Sequence, residues 1–167
     1  MNRGCPNEAA RRGTPTDRAD IDALRVEARA ATREVRGGAA LWGRDRPASV
    51  TEPVLAAALA GAADSCVLLG TLDGMGAGYL LARALDTDGS GRVAEVVELW
   101  VTPQARGIGV GEALMEELID WANELDCGEV DALALPGDRD TKNFFESHGL
   151  VARAISVSRR LHRDDQG

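Results

Sequence analysis

The segment Leu99-Trp-Val-Thr-Pro-Gln-Ala-Arg106-Gly-Ile-Gly109-Val-Gly111-Glu-Ala-Leu-Met115 constrains the chain more than any other. An apolar run ends at Pro103 and glycines follow at 107, 109 and 111. Leu114, Met115, Leu118, Ile119, Ala122 and Leu125 then fall on one helical face. A strand therefore feeds through a glycine-rich turn into an amphipathic helix. Glycines let backbone N–H groups of Gly107, Ile108, Gly109, Val110 and Gly111 approach a ligand, and the start of the helix adds unpaired donors and partial positive charge. Arg106 adds a full charge beside them, so a pyrophosphate is the ligand this segment fits.

Order along the chain separates this turn from other glycine-rich loops. A dinucleotide-binding turn follows the first strand of a parallel unit and leads to an acidic residue about 20 positions on. Here the turn follows a third consecutive apolar run: Cys66 to Leu72, Gly78 to Leu85 and Val93 to Val101 are separated by Asp73-Gly74 and by Asp86 to Gly91, which predicts an antiparallel meander. A Walker loop needs Gly-Lys-Ser/Thr, which is absent. A plain packing turn is the remaining alternative.

Upstream, Ile21, Leu24, Ala28, Ala31 and Val35 recur at helical spacing between Thr16 and Arg36, and Thr51-Glu52-Pro53 opens a second helix to about Ala60. Downstream, Val130 to Leu135 reads as a strand, Arg139 to His148 as a short helix and Leu150 to Leu161 as a last strand. Residues 1–15 read as a flexible amino-terminal tail and 16–167 as one domain. The fold class is α/β in the α+β sense, a mixed and mostly antiparallel sheet with helices around it.

A formal net charge of −8 argues against a nucleic-acid footprint, so an anionic ligand needs a local positive site. No apolar run approaches the roughly 20 residues of a membrane helix, and no membrane partner is expected. Cys5, Cys66 and Cys127 lack the spacing of a disulfide framework or a zinc site, which fits a cytoplasmic protein without a metal. Asp86-Thr-Asp88-Gly-Ser90-Gly91 opens like a calcium loop, but its twelfth position is Val97 where a glutamate is required, so a polar hairpin turn is expected.

Arg106-x-x-Gly109-x-Gly111 resembles the pyrophosphate-binding signature of the GNAT superfamily of acyltransferases. Leu99-x-Val101-x-Pro103 is similar to the end of that family's fourth strand. Phe144-Phe145-Glu146-Ser-His-Gly149-Leu150 resembles its Phe-Tyr-Glu-x-x-Gly-Phe segment, and the resemblance spans roughly residues 17 to 161. It implies a sheet splayed between the fourth and fifth strands, with acetyl-CoA as cosubstrate. Its pantetheine would lie along Leu99, Trp100 and Val101, and a backbone N–H near Leu99 would steady the oxyanion.

The resemblance further implies direct transfer of an acetyl group to a primary amine on a small molecule or peptide. Glu95 aligns with the position some members use as general base, and Glu98 precedes the oxyanion-binding residue. The two differ by three positions, so a regular strand would face them apart and only a bulge would bring both to one cleft. Each also reads as a solvated or ion-paired strand residue. Phe145 stands where many members have a proton-donating tyrosine, and Asp138 and Thr141 stand where Asn and Ala are usual, leaving Asn143 as a candidate pantetheine contact. Tyr79 reads as core. Trp42, within Gly37 to Pro47, would border the acceptor. A noncatalytic acyl-CoA-binding or sensing module is the alternative function, and a homodimer stays open.

Overall fold

Asp73 and Gly74 both take positive φ, 51° and 80°, which gives a two-residue turn whose twist matches two antiparallel strands. This hairpin organises the sheet. In the computed structural model, which describes residues 7–89 and 91–159, five strands lie in chain order: β1 Glu8–Arg12, β2 Ser65–Leu72, β3 Met75–Thr87, β4 Gly91–Val101 and β5 Glu129–Asp131. Strands β1 to β4 are antiparallel, and β5 runs parallel to β4. Helices α1 Arg18–Arg33 and α3 Ala48–Leu59 cover one face, with a three-residue turn α2 Gly38–Ala40 between them. Helices α4 Val110–Glu124 and α5 Arg139–Ser147 cover the other.

Alternation along the strands makes two cores. Val67, Leu69, Tyr79, Leu81, Val97 and Trp100 pack against Ile21 and Leu24 of α1 and Val54 and Leu55 of α3. Leu68, Leu80, Ala82, Ala94 and Val96 meet Val110, Leu114, Met115 and Leu118 of α4 from the other side. Helix α4 packs tightly on Gly70, where a Cβ would lie 2.7 Å from Val110 Cγ1 and 3.2 Å from Leu114 Cγ. That contact fixes where the helix begins.

Pairing between β4 and β5 covers only Val93 to Glu95 against Glu129 to Asp131. From Val96 to Val101, β4 has β3 on one side and, among the described residues, an open edge on the other, which is the expected splay. A bulge contributes to it. Leu81 pairs with Glu98 while Ala82 pairs with Val96, so Val97 is an extra residue that bends the strand just past the last β5 pair.

Three expectations need correction. Glu8–Arg12, read as part of a tail, is an edge strand paired with Leu68 to Leu72; its sequence shows no apolar alternation, and the open backbone edge of β2 orders it. Arg11 then grips Asp17 at 2.7 Å through both guanidinium ends, tying β1 to the start of α1. The strand expected over Val130 to Leu135 shrinks to Glu129–Asp131 as β4 bends away. Residues 150–159 form no strand: Val151, Ile155 and Val157 are exposed, and alternation without a neighbouring ladder does not make one. Arg160 and Leu161 lie outside the described residues, as does Ser90 of the polar turn.

Candidate functional site

Gly109 adopts φ +106°, a region open to glycine and strained for other residues, and this turns the chain from the β4 exit into α4. The first helical bond is donated by Ala113 N–H to Gly109 C=O at 2.9 Å. Among the described residues, none of the N–H groups from Gly107 to Glu112 donates to a turn or cap carbonyl. A cluster of free donors therefore sits at the positive end of α4. Gly107 is exposed, Ile108 and Gly109 are half-buried, and Val110 is fully buried in the core, so Val110 contributes its backbone to the turn and its side chain to packing. Gly111 lies against Phe144, where a Cβ would come within 2.9 Å of the ring.

The open edge of β4 leads directly to that cluster. Thr102 N–H donates to Ala77 C=O at 2.9 Å, so Thr102 pairs inward, and the antiparallel alternation then turns the N–H and C=O of Val101 and Leu99 outward. Arg106 supports this orientation. Its Nε donates to Val101 C=O at 3.0 Å, and its guanidinium lies 4.6 Å over the Trp100 ring. An extended ligand with amide groups can thus add itself to β4 as a further strand, its anionic end at the turn.

Across the bulge, Glu95 pairs with Arg83 and Glu98 with Leu81, two positions that share a face of β3. Both carboxylates consequently point to the α1/α3 side, the condition the spacing left open. Their surroundings differ. Glu98 is buried, accepting from Arg25 Nε at 2.8 Å, Arg25 Nη2 at 3.1 Å and Tyr79 OH at 2.8 Å. Glu95 accepts from Arg46 Nη2 and Arg83 Nε, each at 2.6 Å, and its side chain keeps 18% exposure.

Arg25 also donates to Thr51 Oγ1 at 2.9 Å and to Glu52, which in turn accepts from Arg18. Burial disfavours the charge of Arg25, but the bonds to Glu98 and Glu52 outweigh it and hold the guanidinium above its usual range. Tyr79 is 1% exposed, and burial together with the Glu98 charge pushes its hydroxyl well above the ordinary tyrosine range. It is a structural donor. The places of Arg25, Arg29, Arg46 and Thr51 in this network escaped the sequence reading, although Arg25 carried a signal: a charge among Ile21, Leu24 and Ala28 on the buried helical face calls for a buried partner.

Phe145 packs in the core with α4, Asn143 is exposed on α5, and Asp138 caps α5 by accepting from Thr141 N–H at 3.1 Å and Thr141 Oγ1 at 2.7 Å. Trp42 donates from Nε1 to Thr32 Oγ1 at 2.8 Å, with the Arg29 guanidinium 5.2 Å above its ring. Among the described residues no cluster of His, Cys, Asp or Glu is arranged to hold a metal, and no helix is long and apolar enough to cross a membrane. Burial pushes the Cys66 thiol up to about 11. Cys66 in the native protein is therefore expected to resist a thiol reagent at pH 8 and to react on unfolding; rapid native labelling of Cys66, read by mass spectrometry, would contradict its burial.

Residues 36–150 match the family model described as "Acetyltransferase (GNAT) family". No curated protein matches the sequence. Among solved structures, a mutant of the BH1408 protein from Bacillus halodurans is similar at 19% identity and a TM-score of 0.73, covering 92% of this chain and 99% of that one. The aminoglycoside N-acetyltransferase AAC(6')-Iy in complex with CoA is similar at 17% identity and 0.64, covering 96% and 99%. A ribosomal-protein-alanine N-acetyltransferase from Brucella melitensis biovar Abortus 2308 is similar at 18% and 0.64, covering 93% and 100%. These likenesses carry the fold, and the family model covers well over half of the sequence. With β4 running past its last β5 pair into the glycine turn before α4, and the family match across both, the chain belongs to the GNAT family of acetyltransferases.

Proposed function

We propose that the protein transfers an acetyl group from acetyl-CoA to a primary amine of a small molecule or peptide. The observation that carries this is the continuity of the outward backbone groups of Leu99 and Val101 with the free N–H groups of residues 107–112. Pantetheine amides fit the first and pyrophosphate the second. Leu99, Trp100, Val101, Arg106 and the turn Gly107 to Gly111 are thus the proposed cosubstrate site. Asn143, exposed on α5, is a peripheral candidate. Among the described residues, Cys66 and Cys127 are free, which suits a cytoplasmic setting.

In the proposed reaction the amine nitrogen attacks the thioester carbon, and the outward Leu99 N–H steadies the oxygen as it gains charge. The C–S bond then breaks and the thiolate leaves, taking its proton from solvent, because Phe145 has none to give and Tyr79 is bound to Glu98. The amine proton passes to a carboxylate. Glu95 is the better placed of the two candidates, since it reaches the surface while three donors occupy Glu98. Glu95→Gln should lower turnover by about 100-fold or more. Its affinity for acetyl-CoA should stay within about twofold, because Glu95 is not a proposed CoA contact. Thiol release and calorimetry check this, and full activity across pH would remove Glu95 from the reaction.

A second reading, a noncatalytic acyl-CoA-binding module, draws on the ion pairing of both glutamates and the burial of Phe145. Turnover separates the readings. Thiol release with any amine from a broad panel supports the transferase, and tight acetyl-CoA binding without release supports the module.

A further inference from the structure

Resting on the N-acetyltransferase reading, we propose that the acceptor is an amine that carries a carboxylate, bound by Arg29, and not a polycation. The charge on the acceptor face runs against the whole chain. Although the protein is −8 overall, Arg18, Arg25, Arg29, Arg46 and Arg83 here outnumber Asp22, Glu52, Glu95 and Glu98. Every one of those carboxylates already has a guanidinium partner, and Asp45 on the adjoining loop is paired with Arg44. Among the described residues, a polyamine or aminoglycoside would find no unpaired acid on this face.

Unused hydrogen-bonding capacity points the same way. Of the four buried side-chain polar atoms without a partner among the described residues, three lie on this face: Arg29 Nε, Arg46 Nε and Trp100 Nε1. All three are donors, and no buried acceptor is left over. Arg29 is the least engaged of these five guanidiniums, with one long bond from Nη2 to Thr51 Oγ1 at 3.4 Å and a distant ion pair to Glu98 at 3.8 Å. Its side chain is 37% exposed, and the Trp42 ring holds it from one side. Glu98 immediately precedes Leu99, so Arg29 stands beside the strand edge where the reacting carbonyl is proposed to lie. A guanidinium with a free edge beside an aromatic wall suits a planar carboxylate, which can take two parallel N–H bonds.

The test measures thiol release by the full chain with acetyl-CoA and matched acceptors: aspartate, glutamate and short peptides, each against its carboxamide, with spermidine as the polycation. The carboxylate form should exceed its carboxamide by about tenfold or more in kcat/KM, as expected for one charge-assisted bond. Arg29→Gln should erase that preference by raising KM for the carboxylate form alone, and Arg29→Lys should restore part of it. An unchanged melting temperature for Arg29→Gln guards against a folding defect. Equal use of carboxamides, or preference for spermidine, overturns this inference and leaves the transferase reading standing. Absence of thiol release with every amine overturns both.

Discussion

Replacing Glu98 by alanine should destabilise the protein by about 3–5 kcal/mol, the range typical of removing one partner of a buried ion pair. Glu98 has 1% side-chain exposure and accepts three hydrogen bonds, two from Arg25 and one from Tyr79. Without it, the Arg25 guanidinium keeps only Glu52, Asp22 and Thr51, and the Tyr79 hydroxyl is left buried with no acceptor. A denaturant midpoint measures the loss, and a change below about 1 kcal/mol would contradict the network. Replacing both partners, Arg25→Met with Glu98→Leu, should cost less than the single changes added together, because no charge is then stranded. Any activity lost in Glu98→Ala should follow the fraction of folded protein.

Gly109→Val should weaken CoA binding by about 100-fold or more, equivalent to losing one or two charge-assisted hydrogen bonds to phosphate. At φ +106° a β-branched residue is strained, so the turn would relax and the N–H groups of residues 107–112 would no longer converge. Steric overlap adds to this, since the new Cβ would lie 2.9 Å from Glu8 Cγ on β1. Glu8 is exposed and can swing away, which leaves the backbone as the main cause. Arg106→Ala should be milder, because Arg106 is exposed and adds one side chain to a proposed site made of backbone. Glu8→Gln should strengthen CoA binding a few-fold, as it removes a like charge beside the turn. Calorimetry with CoA reads all three, and unchanged affinity in a folded Gly109→Val protein would move the site elsewhere.

What the sequence revealed of the fold followed from periodicity. The meander, α1 and α4 came from periods of two and 3.6, and the turn before α4 came from its three glycines. What it concealed depended on partners distant in the chain. Glu8–Arg12 becomes a strand only because β2 offers an edge some 60 residues later. The bulge at Val97 hides within Val96-Val97, with no glycine or proline to mark it, yet it decides that Glu95 and Glu98 share a face. Residues 150–159 show the opposite failure: the alternation is present and the neighbouring strand is not. At the candidate site, the geometry of the turn was legible because glycine spacing encodes it. The arginine cluster was not, since Arg25 meets Glu98 across 73 positions.

Hydrogen–deuterium exchange with and without acetyl-CoA tests the central claim most directly, because the proposed site is made chiefly of backbone N–H groups that a ligand would occupy. Saturating acetyl-CoA should slow exchange at Leu99 to Val101 and at Gly107 to Glu112, with little change in β1 or the outer face of α3. Saturable protection confined to another surface, or no protection at millimolar acetyl-CoA, would contradict binding along the open edge of β4.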